Sequence, residues 1–191
     1  MLSAFGDESC DQTKQRVFAV AALVGDNSAW AHFRSQWTER LGETIFHSAD
    51  CEAGYGDFRG VGETERRRLH LDLTQILAES NLMGYGSAID LAGCHEIAPN
   101  VIAQFPDMPY YDCFIKTIVF LSDLAAVFVP REKLEFTFDQ NRNTQYNAGL
   151  LYEWMVSKTS RAHLCVMCDG HITSVVLGRP SASTWIVPKA I

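Results

Sequence analysis

The sequence predicts an α/β fold, because short runs rich in β-branched and aromatic residues alternate with segments of helical periodicity. The clearest strand pattern is Arg16 to Gly25, and helical spacing relates Trp30, Phe33 and Trp37. Hydrophobic residues make up 47% of the 191 residues and charged residues 20%, which is enough apolar material for a core. A chain of this length is expected to form a single domain.

Two strands are predicted at the start of the chain. Leu2 to Gly6 is a short apolar run, and Arg16 to Gly25 follows after a stretch of turn-forming residues. Asp7 and Glu8 come directly after the first run. We therefore expect both carboxylates at the end of the first strand.

Two helices joined by a loop are predicted next. The first begins at Asn27 or Ser28 and ends at Gly42, and the second begins at Glu63 and ends near Ser80-Asn81. Between them, residues 45–62 are rich in glycine and in polar side chains. This segment is interpreted as a loop, and loops carry functional residues more often than cores do.

The second half of the chain continues the alternation of strands and helices. Its predicted elements are a strand at Leu82 to Leu91, a long apolar helix from Tyr110 that Pro130 stops, a strand at Leu134 to Phe138, a helix at Tyr146 to Lys158 and a strand at Ala162 to Met167. The long helix contains Asp112, Lys116 and Asp123, which are costly at a bilayer centre. It is therefore expected to be a buried helix and not a membrane span.

Net charge limits the classes of function. A charge of −7 and a pI near 5.3 argue against a protein that coats nucleic acid non-specifically. The basic run Arg66-Arg67-Arg68 is short and is expected to be a solvated helix face. The N-terminus shows no basic segment followed by an apolar one, so we expect a cytoplasmic protein with free thiols.

Acidic residues follow two of the predicted strands. A mixed sheet that placed these strands side by side would bring Asp7 and Asp139 to one edge. Hard cations such as Mg²⁺ and Mn²⁺ take oxygen ligands, including one or two carboxylates, and two such ions promote phosphodiester cleavage. The alternative is that these residues only form turns, because aspartate is common after strands.

Four short motifs occur in a characteristic order: Asp7-Glu8-Ser9, a strand at Val17 to Val24, His47-Ser48-Ala49-Asp50 and Phe138-Asp139-Gln140-Asn141. In this combination the chain resembles the domain-of-unknown-function 3800 family, over residues 2 to about 172. The resemblance implies a ribonuclease H-like mixed sheet with flanking helices and a nuclease dependent on Mg²⁺ or Mn²⁺. Its implied metal ligands are Asp7, Asp139 and Asp50, and its implied catalytic residues are Asp7, Glu8, Asp139 and His47.

The histidine and the cysteines allow other interpretations. His47 could ligate a metal or transfer a proton, although a loop histidine is more often solvated. Cys165 and Cys168 form a half-site for Zn²⁺ with no second ligand pair, so buried free thiols are the better explanation. The sequence has no glycine-rich loop of the type that binds a nucleotide cofactor.

The segment 172–191 departs from the family pattern, which usually closes with a helix carrying a Gln-x-Ala-Asp-like motif. No acidic residue follows Asp169. The alternative function is therefore a non-catalytic, degenerate member that acts through protein-protein interaction. A homo-oligomer or another partner would then cover the apolar residues of this segment, which are Val175, Val176, Leu177, Trp185, Ile186 and Val187.

Overall fold

The computed structural model describes residues 1–11, 15–129 and 132–138, together with the backbone of residues 172–177. The chain divides into two compact units. The sheet unit contains Met1–Val24 and the described residues from Met83 onward, and the helix unit contains Gly25–Leu82. That the two units form a single domain stays a prediction.

A five-stranded mixed sheet is the centre of the sheet unit. Its strands are β1 (Leu2–Cys10), β2 (Val17–Gly25), β3 (Met83–Asp90), β4 (Leu134–Phe138) and β5 (Ile172–Leu177), in the order β3-β2-β1-β4-β5. β2 and β3 pair antiparallel, whereas β4 pairs parallel with both β1 and β5. This architecture confirms the predicted α/β class, a ribonuclease H-like mixed sheet with flanking helices.

The helices are distributed over both units. The helix unit contains α1 (Asn27–Leu41), α2 (Ser48–Ala53) and α3 (Glu63–Ala78), and the sheet unit contains α4 (Leu91–Ile97), α5 (Pro99–Gln104) and α6 (Met108–Phe128). A 3₁₀ turn at Gly56–Phe58 lies between α2 and α3. In the described part of the chain, no helix combines the length and the apolar character that crossing a membrane requires.

The core of the sheet unit forms where α6 packs on one face of the sheet. On β1, Leu2 and Ala4 are buried whereas Ser3 and Phe5 are only partly so, as expected for alternation along a strand. The hydroxyl of Thr117 on α6 donates to a β2 backbone carbonyl over 3.1 Å. The completely buried apolar side chains include Ala4, Val24, Phe114, Ile118, Leu121, Leu134 and Phe136.

The helix unit has its own hydrophobic core. This core consists of Phe46, Cys51, Phe58, Leu69 and Leu73, with Trp37, Leu41 and Ile76 packed against it. The Nε of Arg40 on α1 donates to Asp72 on α3 over 2.8 Å, and its Nη2 reaches Glu65 at 3.5 Å. Apolar burial and these ion pairs together hold α1 against α3.

The helix unit is inserted into the connection between two paired strands. Val24, the residue before it, pairs with Met83, the residue after it. The chain therefore leaves and re-enters the sheet at neighbouring positions. Insertions at such points change little in the host sheet, because the two chain ends are already close together.

The structure corrects several sequence-based boundaries. β1 continues to Cys10, so Asp7 and Glu8 lie inside the strand and not after it. Pairing with β2 explains the extra length, because the N–H of Asp11 donates to the carbonyl of Val17 at the close of the β1–β2 connection. The apolar run ends earlier than the hydrogen-bonded ladder, and the prediction followed the apolar run.

Three short helices were missed by the sequence interpretation. The predicted loop at 45–62 contains α2, because burial of Cys51 in the helix-unit core favours an ordered turn there. The proline-rich connection before α6 contains α4 and α5, and Pro99 lies at the start of α5, where its missing N–H removes no helical hydrogen bond. The predicted elements at 146–158 and 162–167 lie outside the described residues.

Candidate functional site

Asp7 and Glu8 lie near the end of β1 and are both partly buried. The backbone N–H of Glu8 donates to the Oδ1 of Asp7 over 2.8 Å. Side chains of successive strand residues point to opposite faces, so Asp7 shares a face with Phe5 whereas Glu8 shares the core face with Ala4. The two consecutive carboxylates are therefore not expected to ligate the same metal ion.

The strands that carry the two predicted metal carboxylates are neighbours. β1 and β4 pair parallel from Leu2 opposite Leu134 to Gly6 opposite Phe138, a constant offset of 132 residues. Asp7 is the next residue of β1, and Asp139 follows Phe138 in the sequence. Asp139 itself lies outside the described residues, so its role as a metal ligand stays a prediction.

Close packing holds β1 and β4 together directly before these carboxylates. A Cβ atom added to Gly6 would collide with the ring of Phe138 and would lie 2.9 Å from the Cβ of Ala22. Only glycine therefore lets the Phe138 ring lie over β1 at this position. The close approach places a buried, closely packed part of the sheet next to Asp7.

His47 and Asp50 form a second polar pair, in the helix unit. His47 is the N-cap residue of α2 and Asp50 lies in its first turn. The Nδ1 of His47 is 3.2 Å from the Oδ2 of Asp50, and Nδ1 is closed to solvent. The two atoms are close but do not form an aligned hydrogen bond, because Nδ1 has no hydrogen-bond partner among the described residues.

This pair is suited to acid-base chemistry. An imidazole next to a carboxylate is a common arrangement for proton transfer. The side chain of His47 is 31% exposed, so a substrate can reach the ring. Asp50 lies beside His47, and its role as a metal ligand stays a prediction.

Arg66 lies on α3 and binds both α2, which follows His47 and contains Asp50, and the segment between α2 and α3. Its Nη1 donates to the carbonyl of Val61, and its Nη2 donates to the carbonyl of Glu52 over 3.4 Å. Burial raises the pKa of the neighbouring Cys51 thiol, although the Arg66 charge opposes this shift. Cys51 is therefore a neutral thiol of the core. The expectation of buried free thiols concerned Cys165 and Cys168, which lie outside the described residues.

The surface of the helix unit carries a pocket that the sequence did not predict. Its volume is about 580 Å³, which lies within the range typical of ligand pockets. The lining residues are Glu52, Glu63, Arg66, Arg67, His70 and Leu71. The basic run in this segment was the available signal, but it was interpreted as a solvated face. Arg67 and Arg68 are indeed exposed, whereas Arg66 is partly buried.

The predicted site residues belong to both units. Asp7 and Glu8 lie in the sheet unit, whereas His47 and Asp50 lie in the helix unit. Among the described residues, no three His, Cys, Asp or Glu side chains are grouped closely enough to hold a metal. The chain matches no family model and no curated protein. The resemblance to the domain-of-unknown-function 3800 family therefore stays a prediction.

Proposed function

We propose that the protein is a divalent-metal-dependent phosphodiesterase, a nuclease of the ribonuclease H-like type. The observation that carries this proposal is the parallel register of β1 and β4, which ends at Gly6 opposite Phe138. Asp7 and Asp139 follow these two residues and keep the same offset of 132. That the two carboxylates share one metal ion is part of this proposal, and it is supported by the common offset of the two residues.

Two carboxylates on neighbouring strands would fit a hard divalent cation. Mg²⁺ and Mn²⁺ take oxygen ligands and retain open positions for water and substrate phosphate, which suits Asp7 and Asp139. A bound ion would polarise the scissile phosphate and lower the pKa of an attacking water. The role of this chain's own residues is to fix the carboxylates on a closely packed part of the sheet.

The remaining predicted residues take separate roles in the proposal. His47 stays the predicted residue for proton transfer, although it belongs to the helix unit whereas Asp7 belongs to the sheet unit. Glu8 shares the core face of β1 with Ala4, so we assign it no contact with the ion that Asp7 holds. The substrate is a nucleic acid in this proposal. The cytoplasmic location stays a prediction.

The alternative of a non-catalytic interaction protein rested on the C-terminal segment. Part of that segment, Ile172–Leu177, forms β5 and pairs with β4 inside the chain. This stretch therefore contributes to the sheet itself, which weakens the argument that it serves only to bind a partner. A homo-oligomer formed through the segment stays a prediction.

A cleavage assay tests the proposed function. Labelled single- and double-stranded DNA and RNA are incubated with the wild-type protein and Mg²⁺ or Mn²⁺, with EDTA as the metal-free reference. We expect metal-dependent cleavage that falls by about 100-fold or more in Asp7→Asn, because loss of a metal ligand removes several kcal/mol of transition-state stabilisation. Asp26→Asn is the matched control, since asparagine preserves the N-cap hydrogen bond of α1. Equal activity in both variants would refute the proposal.

A further inference from the structure

The pocket on the helix unit is formed mainly by one face of α3. Glu63, Arg66, Arg67 and His70 recur at helical spacing, and Glu52 contributes from α2. Two arginines and a histidine therefore face two glutamates around a space of about 580 Å³. This arrangement places several N–H donors around one opening that is large enough for a small group.

Two nitrogens of the lining residues lack a hydrogen-bond partner. The Nε of Arg66 and the Nε2 of His70 are shielded from bulk solvent and have no partner among the described residues. The two residues lie one helical turn apart, on the same side of α3. Native proteins leave few buried polar atoms unsatisfied, and an ordered water or a bound ion is a common explanation where they do.

Arg67 is available to exchange partners. It pairs with Glu63 over 2.7 Å, but the two side chains are 78% and 68% exposed. An ion pair this exposed contributes little to stability, so a ligand can replace Glu63 at low cost. Arg66, in contrast, already donates to two backbone carbonyls, which fixes its guanidinium at the pocket wall.

We propose that this pocket binds one phosphate group of a nucleic-acid strand, with Arg67 as the mobile cation and with Arg66 and His70 in the pocket wall. Arginine is well suited to phosphate, because its planar group offers several N–H donors in a fork. That the phosphate belongs to a nucleic acid rests on the proposed function. The phosphate pocket itself does not, since it lies in the helix unit and uses none of the predicted metal ligands.

The first part of the test uses inorganic phosphate as the probe. Phosphate is titrated into the full-length protein while NMR follows the side-chain signals of Arg66 and His70. We expect saturable shifts of both signals in the wild type and weaker binding in Arg67→Gln. Glu63→Gln should bind phosphate more tightly, because it removes a repelling carboxylate and frees Arg67. Phosphate that leaves both signals unchanged would overturn the proposal.

The second part measures binding of short DNA and RNA oligonucleotides in EDTA, which prevents cleavage. Arg67→Gln should weaken binding about 5- to 10-fold and reduce the salt dependence by about one phosphate contact. Arg68→Gln is the matched control, because Arg68 is adjacent and exposed but does not belong to the described pocket lining. Equal losses in both variants, or phosphate binding that oligonucleotides do not compete, would overturn the nucleic-acid assignment.

Asp7→Asn separates the failure of this proposal from failure of the proposed function. We expect Asp7→Asn to lose Mn²⁺ binding and to keep the oligonucleotide affinity that depends on Arg67. One outcome is that Asp7 binds metal while Arg67→Gln and Arg68→Gln bind oligonucleotides with equal affinity. In that case the assignment of the pocket to phosphate is wrong and the metal site stands. The opposite pattern would leave the phosphate pocket intact and refute the metal site.

Discussion

Gly6 of β1 lies opposite Phe138 of β4 in a parallel register, and the Phe138 ring occupies the space where a Gly6 side chain would lie. Both residues are buried. This contact fixes the two strands to each other one residue before Asp7. The predicted metal site therefore depends on Gly6, a residue that cannot bind the metal itself.

Gly6→Ala should destabilise the protein. The added Cβ would collide with the Phe138 ring and approach Ala22, and overpacking of this kind costs about 1–3 kcal/mol. Urea unfolding followed by circular dichroism measures the change. Gly62→Ala is the control, because a Cβ at Gly62 meets no atom within 4 Å. Unfolding midpoints that agree between the two variants would contradict the packing described for Gly6.

Asp123→Asn should stabilise the protein at neutral pH. The Oδ1 of Asp123 on α6 is buried without a partner among the described residues, and burial raises the pKa of this carboxyl above its usual range. A raised folded-state pKa favours folding at low pH, and this contribution is lost as pH rises through the folded pKa. The ionised carboxylate then carries a desolvation penalty that asparagine avoids.

The effect of Asp123→Asn should therefore depend on pH. We expect the stabilisation to be present at pH 7 and to disappear below the ordinary aspartate pKa near 3.8, where both states of the wild type are protonated. Thermal unfolding at pH 7 and at pH 3 measures the difference. Asp112→Asn, which removes the exposed pair with Lys116, should show no such gain at pH 7.

The buried thiols should resist alkylation. Burial raises the pKa of Cys113, and a hydrogen bond involving Ser87 opposes this only in part. Cys51 is similarly buried, whereas Cys10 is exposed. Because the thiolate is the reactive form, iodoacetamide at pH 8 should modify Cys10 in minutes and leave Cys51 and Cys113 unmodified in the folded protein. Peptide mass spectrometry that finds equal modification would refute this.

Arg40→Met should destabilise the helix unit by about 1 kcal/mol, because it removes the hydrogen bond to Asp72 and the contact with Glu65 while preserving much of the apolar stem. A double-mutant cycle with Asp72→Asn measures the coupling between α1 and α3. Arg68→Met provides the control on α3. A coupling energy near zero would show that the contact contributes nothing to stability.

Periodicity predicted the larger elements well. The spacing of Trp30, Phe33 and Trp37 located α1, and an uninterrupted apolar pattern located α6, because these helices bury a continuous side. The short helices α2, α4 and α5 have too few turns to show periodicity. Tertiary burial, as at Cys51 and Ile102, holds α2 and α5 in helical form, and no local pattern records that burial. α4 has no buried residue and is capped by the Asp90 side chain, which accepts from the N–H of Gly93.

The candidate site was predictable only in part. The prediction that β1 and β4 are neighbours required the order of strands, which the resemblance implied and the spacing of residues did not. The contact of His47 with Asp50 follows from their separation of three residues at the start of a helix. The pocket around Arg67 depends on how α2 packs against α3, and this arrangement has no signature in the sequence of either helix.

Metal binding by Asp7 is the most direct test of the proposed metal site. Calorimetric titration of Mn²⁺ into the wild type, Asp7→Asn and the control Asp26→Asn measures this without knowledge of the substrate. We predict saturable binding to the wild type and to Asp26→Asn, and a loss of at least about 10-fold in affinity for Asp7→Asn. Binding that is absent from the wild type, or unchanged in Asp7→Asn, would contradict the proposed metal site.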